Sequence, residues 1–146
     1  MKALFRISLL FLLFSPVLNA QNDNSVTIDV LNQEASRTWE YTLTETSVSA
    51  VKHYTGDRPP MTVYETILTP EQSERVKQLF ARIDVESLKE QYTGSPAEGK
   101  GSFMFHFRIG TFRKKVSVCN EYPAELKEIC DLLNEMLHEK YRIVFE

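Results

Sequence analysis

Phe103-Met104-Phe105-His106-Phe107-Arg108-Ile109-Gly110-Thr111-Phe112-Arg113-Lys114-Lys115-Val116-Ser117-Val118 holds two runs of period two around a Gly-Thr pair. Phe103, Phe105, Phe107 and Ile109 alternate with Met104, His106 and Arg108. Phe112, Val116 and Val118 alternate with Arg113, Lys115 and Ser117. Successive side chains of a strand point to opposite faces, so each run has an apolar and a polar side. Gly110-Thr111 suits a two-residue type II′ reversal, which joins the runs as an antiparallel hairpin. The register then follows: Ile109 opposite Phe112, Phe105 opposite Val116, Phe103 opposite Val118, Arg108 opposite Arg113, His106 opposite Lys115.

The polar side is electrostatically unusual. Gly99 to Asn120 contains Lys100, Arg108, Arg113, Lys114 and Lys115, with no Asp or Glu, in a chain of 17 Lys/Arg and 20 Asp/Glu. Like charges directly opposite on a ladder cost about 0.2–1 kcal/mol. Two arrangements relieve that cost. Acids on neighbouring strands can balance it, with Glu40, Glu45 and Glu65 available for this. An anionic partner can also do so: an acidic protein surface, or an anionic envelope component such as a polysaccharide or lipid headgroup. His106, Arg108, Arg113 and Lys115 are therefore the candidate binding residues. Lys and Arg on strands also discourage edge-to-edge pairing.

Outward from the hairpin, the chain divides into strands and helices. Val26, Ile28 and Val30 alternate with polar residues, as do Trp39, Tyr41 and Leu43. A partner strand runs from Val48 to Tyr54 after a turn at 45–47, and Gly56 to Pro60 form a loop. Met61 to Leu68 reads as a further strand with Val63 and Ile67 on one face. Thr69-Pro70-Glu71-Gln72 is a helix start, with Thr69 at the N-cap, Pro70 at N1 and Gln72 completing a capping box. Val76, Leu79, Phe80 and Ile83 line the helix's apolar face. Asp84 to Tyr92 reads as a second short helical turn carrying Val85 and Leu88 inward, and residues 93–101 as a loop. A last helix follows Asn120–Pro123, burying Leu126, Ile129, Cys130, Leu133 and Leu137, and Tyr141 to Phe145 reads as a closing strand. The segregation of strands from helices predicts an α+β fold: an antiparallel sheet with two main helices packed on one face.

Lys2 and Arg6, the apolar run Leu9–Phe14, Pro16 and the small Ala20 have the architecture of a secretory signal peptide at residues 1–20. The apolar run is shorter than the roughly 20 residues of a membrane-spanning helix. The expectation is a cleaved leader, an exported periplasmic or extracellular α+β domain at 21–146, and no membrane span after cleavage. Loss of the leader leaves 15 Lys/Arg against 20 Asp/Glu, a balance of −5. That acidic balance argues against a nucleic-acid partner.

Chemistry-bearing motifs are few. The chain has no Gly-rich phosphate loop, nucleophile elbow or His-Glu-x-x-His pattern. His53, His106 and His138 have no metal-ligand spacing, so neither a metal nor a cofactor is expected. Cys119 shares the parity of Arg113 and Lys115, whereas Cys130 lies on the apolar helix face about 10 Å of axial rise beyond Pro123. A disulfide needs Cα atoms within about 7 Å, so the two thiols are read as unbridged. The segments KKVSVCNEYPAELKEICDLLNEMLHEKYRI and ILTPEQ resemble small exported bacterial proteins with no assigned activity. That resemblance implies an envelope or secreted location and carries no catalytic residue.

The leading reading is a non-catalytic exported binding or envelope-accessory module. One alternative is a small extracytoplasmic hydrolase using His106 or His53 with a carboxylate, which requires a cleft holding the pair at hydrogen-bond distance. Another is a carrier of a small apolar ligand, which requires an empty cavity between sheet and helix lined by the phenylalanines.

Overall fold

The computed structural model describes residues 24–31, 37–95 and 102–144. The expected leader, residues 96–101 with Lys100, and Phe145 lie outside the described residues. Seven strands form one sheet: β1 (Ser25–Leu31), β2 (Arg37–Thr44), β3 (Ser47–Tyr54), β4 (Met61–Ile67), β5 (Gln91–Thr93), β6 (Ser102–Ile109) and β7 (Phe112–Cys119). Among the described residues, two α-helices, α1 (Pro70–Arg82) and α2 (Ala124–Met136), complete an α+β architecture. The strand order is β4-β3-β2-β1-β6-β7-β5.

The hairpin has the expected register. Ile109 faces Phe112, Phe105 faces Val116, Phe103 faces Val118, Arg108 faces Arg113 and His106 faces Lys115. Gly110 has φ +55, while Thr111 is not among the left-handed residues. A type I′ turn needs positive φ at both central positions, so this combination is that of a type II′ reversal. Asn24 Oδ1 accepts from the Gly110 amide at 2.9 Å, tying the turn to the start of β1.

Alternation places Val26, Ile28, Tyr41, Leu43, Val48, Ala50, Phe103, Phe105, Phe107, Val116 and Val118 on one buried face. Their burial stabilises the fold by about 25 cal/mol per Å² of apolar surface removed from water. They form one core cluster with Val76, Leu79 and Phe80 of α1 and Leu126, Ile129, Cys130, Leu133 and Met136 of α2. The capping box at Thr69 and Gln72 opens α1 as expected. The ion pairs Arg75–Glu135 and Arg82–Glu128 place early α1 beside late α2 and the reverse, so the helices run antiparallel to each other.

Four expectations are corrected. The sheet is mixed, because β5 pairs in parallel with β7. Its three residues are too few to show alternation, and what precedes it is a hydrogen-bonded turn: the Ser87 amide donates to Asp84 O at 3.2 Å and its Oγ to the same oxygen at 2.9 Å. Val85 and Leu88 are nonetheless buried there. Thr93, expected to open the loop, is the last residue of β5, and Gly94 just after it donates its amide to Cys119 O at 2.9 Å. Val63 and Ile67 do not share a face. The β3–β4 ladder slips after Ala50, leaving Val63 as an extra residue, so Val63 and Tyr64 both pack on the core while Ile67 is 82% exposed. Finally, residues 141–144 are not a strand. A 3-10 turn spans Glu139–Tyr141, and the side chain of Asn134 then takes both backbone groups of Ile143, at 2.7 and 2.8 Å.

Candidate functional site: a basic concavity on the polar sheet face

Opposite the core, the central strands present a half-buried or exposed face built from the alternate positions. Cross-strand pairing orders these side chains into rows. The row nearest the hairpin turn reads Thr44, Ser25, Arg108, Arg113 across β2, β1, β6 and β7. The next reads Thr42, Thr27, His106, Lys115, and the third Glu40, Asp29, Met104, Ser117. Strands lie about 4.8 Å apart and alternate residues about 7 Å apart, so each row spans roughly 14 Å. The first two rows line a concavity of about 590 Å³ together with Phe107 and Lys114.

All four residues proposed from the sequence meet here. Arg108 and Lys115 are exposed. Arg113 is exposed but anchored: its Nη1 donates to Gly110 O and Phe112 O, each at 2.7 Å. This holds the guanidinium at the rim of the turn and leaves its other N–H groups to point elsewhere. The ring of His106 lies 2.9 Å from Asp29 through Nε2 and Oδ2. With Asp29 ionised, Nε2 is the donor.

Lys114 has a different fate. It lies on the apolar-face parity, opposite Phe107, and its Nζ donates to Glu86 O at 2.7 Å. The concavity therefore draws its surface cations from Arg108, Arg113 and Lys115.

Of the acids expected to balance the hairpin, Glu45 reaches its turn through Asn24, which also accepts from the Gly110 amide, whereas Glu40 and Glu65 lie on strands that do not border it. Glu40 lies 3.4 Å from His53, and Glu45 accepts from Asn24 Nδ2 at 2.6 Å. Glu65 belongs to β4, four strands from β6. The bordering acid is Asp29, on a strand that the sequence marks only by Val26, Ile28 and Val30. Alternation alone does not single out Ser25, Thr27, Thr42 and Thr44: they are hydroxyl residues at the polar parity of two strands, and they become a site only when β1 is placed between β2 and β6.

The other chemistry-bearing groups lie elsewhere. Cys119 is half-buried and Cys130 fully buried, both free thiols. Burial pushes the Cys130 thiol well up from its usual range, with the Asp131 charge adding to it. Burial also raises Tyr122, with Cys119 and Cys130 contributing. Phe103, Phe105 and Phe107 are each no more than 3% exposed, packed into the core. Among the described residues, no three His, Cys, Asp or Glu side chains gather closely enough to hold a metal ion, and no helix is long and apolar enough to cross a membrane. No protein-family model matches the chain, and no curated protein is significantly similar to it.

Proposed function

We propose that this chain is a non-catalytic exported binding module of the bacterial envelope, and that its polar sheet face takes an anionic partner. In this reading both helices cover the phenylalanine face and leave the opposite face open. The observation that carries the proposal is the convergence of Arg108, Arg113, Lys115 and His106 on one concavity that, among the described residues, no carboxylate lines. Arg108 and Arg113 stand directly opposite each other, and an anion seated between them turns that repulsion into attraction. Export and cleavage of residues 1–20 belong to the same proposal and rest on the leader-like sequence.

The hydrolase alternative draws support from one contact, since His106 and Asp29 lie within the required distance. A dyad working by covalent catalysis also needs a side-chain nucleophile on the imidazole. Thr27, directly across the ladder from His106, has its hydroxyl 3.3 Å from that of Thr42, and Asp29 does not line the concavity. The contact is better read as a pair that orients His106 and separates the cations from the Glu40–Asp29 row.

The test is a titration of the isotope-labelled protein with polyglutamate, dextran sulfate and anionic vesicles, followed by backbone amide shifts. At least one polyanion should perturb β1, β6 and β7, and binding should weaken steeply as salt rises. The variant Arg108→Glu/Arg113→Glu should fold and lose that response. Unchanged binding by this variant would remove the site.

A further inference from the structure

The concavity has two chemically different halves. On β1 and β2 its lining is Ser25, Thr27, Thr42 and Thr44, all neutral hydroxyls; on β6 and β7 it is His106, Arg108, Arg113 and Lys115, with Phe107 and Lys114 of the opposite parity. The division repeats in both rows, hydroxyls on the first two strands and cations or imidazole on the next two. A surface meant for a carboxylate-rich protein has no need of the hydroxyl half. Short hydroxyls lining a concavity reach only a group that enters it. The volume of about 590 Å³ falls within the roughly 300–1,000 Å³ of small-molecule sites.

We infer that the recognised group is a sugar unit carrying a phosphate or sulfate ester. This inference rests on the anion-binding reading above and names its ligand class. The ester oxyanion lies over β6 and β7, where Arg108 and the anchored Arg113 supply planar N–H groups suited to paired oxygens and Lys115 a point charge. The sugar ring lies over β1 and β2. There Ser25 can donate to and accept from its hydroxyls, and Thr27 and Thr42, which share one bond at 3.3 Å, keep one donor and their remaining lone pairs between them. Thr44 contributes less, because its Oγ1 already accepts from the amides of Thr46 and Ser47. The Glu40–Asp29 row repels the oxyanion from the third position along the strands. The ester is thereby confined to the hairpin-turn end.

The experiment compares affinities of the full chain for glucose 6-phosphate, glucose 6-sulfate, glucose, inorganic phosphate and polyglutamate by calorimetry and amide shifts. The sugar esters should bind at least tenfold more tightly than inorganic phosphate, with glucose alone undetected. Thr27→Val/Thr42→Val should erase most of that preference. Valine is nearly isosteric with threonine and favours strands, so the variant should retain its core amide shifts. If it unfolds, Ser25→Ala provides the same readout. A soluble sulfated glycan and vesicles bearing a phosphorylated glycolipid present the unit on two carriers; binding either supports the inference, and the preferred one identifies the source. Polyglutamate binding as tightly as the sugar esters overturns the inference and leaves the anion site standing, as does equal binding of inorganic phosphate. A failure of every anion to shift β1, β6 and β7 overturns both.

Discussion

Arg108→Glu should make the protein more stable while abolishing anion binding. Arg108 is exposed and stands directly opposite Arg113 on the β6–β7 ladder. The substitution removes a like-charge pair and creates an opposite-charge one, each step about 0.2–1 kcal/mol. Solvent exposure favours the lower part of that range, so a net gain of about 0.5–1 kcal/mol is expected. In a chain of this size that raises Tm by roughly 2–5 °C. The gain is electrostatic between exposed groups, so it should shrink at 1 M salt, where the Debye length is about 3 Å. Thermal unfolding by circular dichroism at low and high salt measures it. A double-mutant cycle with Arg113→Glu isolates the pair, because Arg113→Glu also loses the bonds to Gly110 O and Phe112 O. A coupling near zero, or an Arg108→Glu variant no more stable than Arg108→Ala at low salt, would refute the claim that the hairpin stores repulsion for a ligand to relieve.

Gly94→Ala should destabilise by about 1–3 kcal/mol in urea unfolding, because a Cβ there would sit 2.6 Å from the Asn120 carbonyl oxygen, and backbone must move. Asn120 has φ +62, so Asn120→Val should cost about 1–2 kcal/mol while Asn120→Gly is tolerated, a contrast visible in the same assay. A thiol reagent should titrate Cys119 in the native protein and reach Cys130 only on unfolding, since Cys130 is fully buried with its thiol pKa raised; equal rates would contradict the packing of α2. Burial raises Tyr41 to about 12 from 10.0, so the unfolded chain ionises first. Stability should therefore fall as pH climbs from 10 toward 12, and Tyr41→Phe should flatten that part of the unfolding-versus-pH curve.

Much of the fold is legible residue by residue wherever the determinant is local. Gly110-Thr111 sets the hairpin register because a two-residue turn admits one alignment of its flanking strands. Thr69-Pro70-Glu71-Gln72 marks the first residue of α1 because a capping box satisfies amides within a single turn. Alternation sorts the phenylalanines from the cations because strand side chains have a period of two. The candidate cations are readable for the same reason.

The other half of the site was not, because it depends on which strand lies beside β6. Val26, Ile28 and Val30 mark a strand but do not say where it pairs; only the packing of the whole sheet inserts β1 between β2 and β6. That insertion brings Asp29 to His106 across 77 residues of chain and sets the hydroxyls of Ser25 and Thr27 next to the cations. The parallel β5, the extra residue at Val63 and the capture of Ile143 by Asn134 belong to the same class. Each is a contact whose free energy comes from a partner distant in sequence, so no local pattern encodes it. Periodicity and turn stereochemistry assign each residue its side of a strand, whereas the choice of neighbouring strand is made by the collective burial of the core, and the concavity exists only after that choice.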